Sequence, residues 1–254
     1  KGEFESTIRY FTNRLSSLNV GLYLGESVSE NQLIQSGYSH VVLASGVSPR
    51  KWSLAGADRP EVVSYLDVLN GDVEVGKNVA IIGAGDIGFD VAEFLTHDSE
   101  ASRFLKSWGI DETLSSRGGL VKAERSASQR KVYLLQRSPG KPGSKLGKTT
   151  GWIHRVTLRK RGVEMWSDVD YKHLDEHGLH LSHPEKGSVT LPVDHVVICA
   201  GQMPFAPLLD SLENAGVKVS CIGGASNARG LDAQRAILEG LRLATKLESE
   251  LVSK

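Results

Sequence analysis

The stretch "VAIIGAGDIGFDVAEFL", residues 79–95, limits what this chain can fold into more than any other. A short apolar run that reads as a buried strand meets Gly83, Gly85 and Gly88, and a helical pattern follows from residue 86. In the order strand, G-x-G-x-x-G, helix, each glycine has a mechanical reason to be there. Gly83 makes the tight turn, Gly85 lets a pyrophosphate approach the backbone, and Gly88 lets the helix pack closely on the strand. Ala84, Asp86 and Ile87 complete the loop and open the helix, whose N-terminal amides face phosphate; Asp86 suits the first turn or the cap. The spacing predicts a dinucleotide site in an α/β domain.

The second half of such a site is an acid about 20 residues further on, which holds a ribose hydroxyl. Counting forward reaches Asp111 and Glu112, but "WGIDET" follows no strand and lies in a polar, Ser-rich insertion, 98–130. The second strand is "KVYLLQR", delayed by that insertion, and it ends on Gln136 and Arg137. An acid there would repel a 2′-phosphate, whereas an arginine binds one. From Arg137 to Arg161 there are eight Lys or Arg residues and no carboxylate. The pattern therefore predicts NADPH rather than NADH, with Arg137 as the principal contact and Lys145 and Lys148 as weaker candidates. Arg159, Lys160 and Arg161 close a helix and complement its dipole.

Around this centre, strand and helix patterns alternate, which predicts an α/β architecture with mainly parallel sheets. An amphipathic helix over 1–18 carries Phe4, Ile8, Phe11, Leu15 and Leu18 on one stripe, and suggests an excised part of a longer protein. Strands are expected near 20–25, 39–46, 77–83, 131–137, 194–201 and 217–224, with shorter ones between 163 and 192. Helices are expected over 62–71, 86–97, 150–162 and 232–251, with a weaker one near 101–108. Residues 47–60 read as a linker. "VVLASGVSP" (41–49) and "VVICAGQMP" (196–204) share one shape, an apolar strand, small residues and then a proline. The second of these brings Gly201 and Gln202 to the nucleotide side. Small residues at a strand exit admit a ligand close to the backbone.

Composition excludes several functions. Thirty basic and thirty acidic residues cancel, so there is no overall basic excess for nucleic acid. No apolar run is long enough to span a bilayer and no signal-peptide pattern opens the chain. Cys199 and Cys221 sit in apolar runs and form no C-x-x-C. They read as buried thiols of a cytoplasmic protein, without a dithiol centre or a cysteine-held cluster in this chain. His173, His177, His180 and His183 crowd together, but alternation places them on a hairpin with Leu179 and Leu181 inward and His180 outward. With no helical i, i+4 pairing, no metal site is expected. His154 reads equally as helix surface or ligand contact, and no hydrolytic triad stands out.

"VAIIGAGDIGFDVAEFL", "LLQRSPGKPGSKLGKTTGWIHR", "VVICAGQMP" and "CIGGASNARGLDAQRAILEG" together resemble the C-terminal part of the bacterial 2,4-dienoyl-CoA reductases. These are NADPH-dependent flavoenzymes related to trimethylamine dehydrogenase and the old yellow enzymes. The resemblance covers essentially the whole chain. It implies two nested, three-layer Rossmann-like domains: an incomplete FAD domain split into 1–71 and 201–254, and an NADPH domain over 72–200. An N-terminal barrel with FMN, which takes the acyl-CoA, and a [4Fe–4S] segment would precede residue 1, as would the first FAD fingerprint. Val28 would touch adenine, Ala44 and Gly46 would flank FAD, and Gly223, Gly224 and Asp232 would lie near its phosphate and flavin. Gly223-Gly224 stands where many related flavoproteins have Gly-Asp. A sibling enone or amine flavoenzyme, or a scaffold that holds ADP without hydride transfer, stays open beside this reading.

Overall fold

A computed structural model describes residues 2–97, 101–124 and 128–252. Residue 1 of the expected first helix, and 98–100 and 125–127 of the expected polar insertion, lie outside the described residues. In chain order the elements are α1 (Glu5–Ser17), α2 (Glu30–Gln35), β1 (Val41–Leu43), β2 (Val47–Pro49), β3 (Val62–Ser64), α3 (Tyr65–Asn70), β4 (Asn78–Ile82), α4 (Asp86–Leu95), α5 (Ala101–Trp108) and β5 (Lys131–Leu135). Then follow α6 (Gly151–Lys160), β6 (Glu164–Trp166), β7 (Asp170–Asp175), β8 (Gly178–His183), β9 (Gly187–Leu191), β10 (His195–Ile198), β11 (Gln202–Pro204), α7 (Leu209–Asn214), β12 (Val219–Cys221) and α8 (Ala233–Val252).

The chain folds as two compact units, 1–46 with 205–254, and 47–204. The second unit is a three-layer sandwich. Its middle layer is a parallel sheet in the order β3-β10-β4-β5-β6. Alternation along the strands feeds two cores. Val79, Ile81, Val132, Leu134 and Val197 face the helices, where they meet Phe89, Val91 and Leu158. Ala80, Ile82, Tyr133, Leu135 and Val196 face an antiparallel meander, β7-β8-β9, and meet Leu174, Leu179 and Leu181. Burial on both faces explains why these strands read as unbroken apolar runs. The first unit pairs β1 with β12 in parallel around Val41, Leu43 and the fully buried Leu212. No helix among the described residues is long and apolar enough to cross a membrane.

Several expectations need correction. Residues 20–25 form no strand: Val20, Leu22, Tyr23 and Leu24 are exposed, with no ladder partner among the described residues. The expected linker opens with β2, which pairs antiparallel with β11, so the prolines of the two echoed segments lie in one ladder. The helix expected over 62–71 begins at Tyr65, because Val62–Ser64 is drawn into the sheet beside β10. Ser64 then caps α3, with Asp67 completing a capping box, and Gly71 ends it at φ 81°. Residues 47–71 belong to the same compact unit as the fingerprint, and that unit ends at Pro204. Cys221 is only half-buried.

Candidate functional site

Each fingerprint glycine has a different cause in the geometry. Gly83 leaves β4 at φ +110°, and a Cβ there would stand 2.7 Å from the Cys199 carbonyl oxygen. A Cβ on Gly88 would stand 1.8 Å from the Gly83 carbonyl oxygen, so α4 crosses the strand exit at backbone contact. Gly85, the N-cap of α4, is extended, and a Cβ on it would meet nothing within 4 Å. The helix has no side-chain cap, which leaves its first amides to face outward. Ala84 and Gly85 line a cavity of about 860 Å³. Asp86 lies in the exposed first turn, Ile87 packs partly on the core and Gly88 is buried, so these three shape the helix outside the cavity lining.

The cavity carries one sign of charge. Arg50, Lys51, Arg137 and Lys145 line it and no carboxylate does. Arg137 follows the end of β5 and has no ion-pair partner among the described residues. Gln136 lines the cavity too, but its amide donates to the Ser138 and Gly140 carbonyls, both at 3.0 Å, and shapes the loop that presents Arg137. Lys145 lines the cavity, whereas Lys148 is exposed outside that lining. Arg50 is positioned by its amide, which donates to the Gly201 carbonyl at 3.2 Å. Gly201, at φ +92°, leaves room for it: a Cβ there would be 3.4 Å from the guanidinium Nε. Gln202 turns instead to the Tyr65 hydroxyl, 3.1 Å away. Arg50, Lys51, Trp52 and Tyr171 also line the cavity, and no local sequence pattern marks them, although "PRKW" directly follows the first echoed strand exit. Trp52 meets Tyr171 edge-on at 6.2 Å, and burial pushes the Tyr171 hydroxyl's pKa up.

Asp111, at the expected distance for a ribose acid, is committed elsewhere. Its carboxylate accepts from the Thr113 amide (2.9 Å) and hydroxyl (2.6 Å), the Ser115 hydroxyl (3.1 Å) and the Ser116 amide (2.7 Å). These bonds hold it well below the usual carboxylate range. His154 ties α6 to α4 through Glu93, with Nδ1 to Oε2 at 2.8 Å. Burial pushes the Cys199 thiol up to about 12, so it is no nucleophile. In the other unit, Val28 and Ala44 are exposed and Gly46 has φ +81°. Gly223 and Gly224 are buried in a tight turn, and the Gly223 amide donates to Glu239 Oε2 at 2.6 Å. The Asp232 carboxylate accepts from the Arg235 amide at 2.7 Å and so caps the start of α8.

A doubly buried parallel sheet, an open glycine at a helix N-terminus and an acid-free cationic cavity make a doubly wound α/β domain of the dinucleotide-binding shape. The chain belongs to the pyridine nucleotide-disulphide oxidoreductase family, whose model matches residues 8–229. Such domains bind FAD and NAD(P)H. Bilirubin reductase of Mediterraneibacter gnavus is 25% identical over 247 residues, 97% of this chain and 33% of that protein. Metal reductase of Desulforamulus reducens is 25% identical over 228 residues, 87% of this chain and 33% of that protein. The solved 2-naphthoyl-CoA reductase superposes with a TM-score of 0.73 at 20% identity, over 94% of this chain and 31% of that one. The chain thus spans about a third of the length of the curated relatives it matches.

Proposed function

We propose that this chain is the NADPH-entry part of a multi-cofactor, cytoplasmic flavoenzyme that reduces 2,4-dienoyl-CoA in the β-oxidation of unsaturated fatty acids. The cavity carries the reading. Gly85 offers backbone to a pyrophosphate, and Arg137 stands at the end of the next strand in the same acid-free lining. Bound there, NADPH would supply a hydride for the flavin. Arg137 and Lys145 would hold the 2′-phosphate, and the first amides of α4 would hold the pyrophosphate. FMN, a [4Fe–4S] cluster and the barrel that takes the acyl-CoA belong to polypeptide outside these 254 residues. Two relatives that match over most of this chain, yet are named for bilirubin and for metal, support such a division of labour. The shared third would supply electrons and the remainder would choose the acceptor.

The test compares NADPH consumption with 2,4-dienoyl-CoA by this chain alone and by one polypeptide that also carries the barrel and cluster. The chain alone is expected to show no turnover, and the longer polypeptide to consume both substrates one for one. Turnover by the chain alone, or none by the longer polypeptide, contradicts the proposal.

A further inference from the structure

The meander β7-β8-β9 carries a side-chain cluster that the nucleotide cavity does not use. Its origin is a bulge. Tyr171 pairs with Leu181 and His173 pairs with His180, so one extra residue, Lys172, is accommodated between them. Strict alternation from the buried Tyr171 would turn His173 and Asp175 inward. The bulge shifts the phase, so Leu174 is buried while His173 and Asp175 stand on the outer face opposite His180. Leu174 is fixed in that phase by its amide, which donates to the Ala55 carbonyl at 2.9 Å.

We propose that this outer face binds a divalent ion of the zinc class through His173, His180 and Asp175. Ligand atoms of the three lie within 4.8 Å of one another. His180 Nε2 is 2.9 Å from Asp175 Oδ1, and His173 Nε2 is 3.5 Å from Asp175 Oδ2. A tetrahedral ion with bonds of about 2.0–2.1 Å needs ligand atoms roughly 3.3 Å apart, which these separations bracket. The two imidazoles stack at 4.0 Å with planes 11° apart. Capture therefore requires the rings to splay until both planes reach the ion. The outer partner is already present: His180 Nδ1 is 3.0 Å from the Thr190 hydroxyl on β9. A metal-bound histidine donates its second N–H to such a group, which fixes the tautomer. The Asp175 carboxylate also accepts from the His177 amide at 2.8 Å, which holds it on this face. Arg59, the nearby cation, is itself paired with Glu61 at 3.1 Å. Two imidazoles and one carboxylate select zinc, nickel or copper over magnesium or calcium. Three protein ligands leave a fourth position open. Linear spacing does not announce this cluster, because it arises from cross-strand register after the bulge.

The test is calorimetric titration of the tag-free chain with zinc chloride, with and without excess magnesium. One saturable ion per chain is expected, undisturbed by magnesium. His180→Gln and His173→Gln should each abolish saturable binding, and Thr190→Val should retain the stoichiometry but bind about tenfold more weakly. Equal melting temperatures and equal NADPH binding for the variants would show that the fold is kept. Absence of saturable binding, or equal affinity in His180→Gln, overturns the proposal, the second result assigning the ion to other surface histidines. An unchanged Thr190→Val affinity overturns the outer-partner role.

Discussion

Gly88 and Gly85 belong to one motif, yet they should fail in opposite ways. Gly88→Ala places a methyl group inside the Gly83 carbonyl and forces α4 off the sheet. We expect it to cost at least about 1–3 kcal/mol, read as a fall in melting temperature. Gly85→Ala meets open space and an ordinary φ of −88°, so stability should stay unchanged while dinucleotide affinity falls. Parallel thermal melts and binding titrations separate the two. On the proposed reading, Arg137 would be a charge-assisted donor to the 2′-phosphate dianion. Arg137→Ala should remove about 1.5–3 kcal/mol of NADPH binding, roughly tenfold to a hundredfold in Kd, and leave NADH binding unchanged. Asp111→Asn should leave that preference untouched. Its effect should appear as faster hydrogen exchange at the Thr113 and Ser116 amides, which its carboxylate holds.

At the scale of elements, β4, α4, β5 and α8 were legible because one pattern dominates each: a continuous apolar run, a glycine loop or a long amphipathic stripe. The position of Arg137 was legible for the same reason, since it follows the end of an unambiguous strand. What could not be read depends on partners distant in sequence. Val62–Ser64 is a strand because β10 lies beside it, and Val20–Leu24, of similar composition, is not a strand. Arg50 enters the cavity through a bond to Gly201 that no local pattern announces. The bulge in β7 turns two potential ligands outward, and a one-residue shift of phase is invisible to alternation counting. The hairpin also carries a pH dependence. Asp175 is depressed from 3.8 to about 2 by its bonds to His180 and His177, so its contribution is complete above about pH 4. It is lost as pH falls through about 2. Hydrogen exchange in β7 and β8 should rise across that window, and Asp175→Asn should remove the dependence.

At the scale of the whole molecule there are two compact units, of which 47–204 holds the complete fingerprint, the cationic cavity and the meander. That unit assembles the cationic cavity from strand exits in three distant stretches of chain, around residues 50, 83 and 137. The match across residues 8–229 places both units in one oxidoreductase family, and the share of the relatives that is covered assigns this chain to a third of their length. On the proposed reading, the cavity admits a 2′-phosphorylated dinucleotide. The most direct measurement is a pair of equilibrium titrations of the chain with NADPH and with NADH at one ionic strength. NADPH should bind at least about tenfold more tightly, the equivalent of one charge-assisted contact. Equal affinities, tighter NADH binding, or no binding of either would contradict the account.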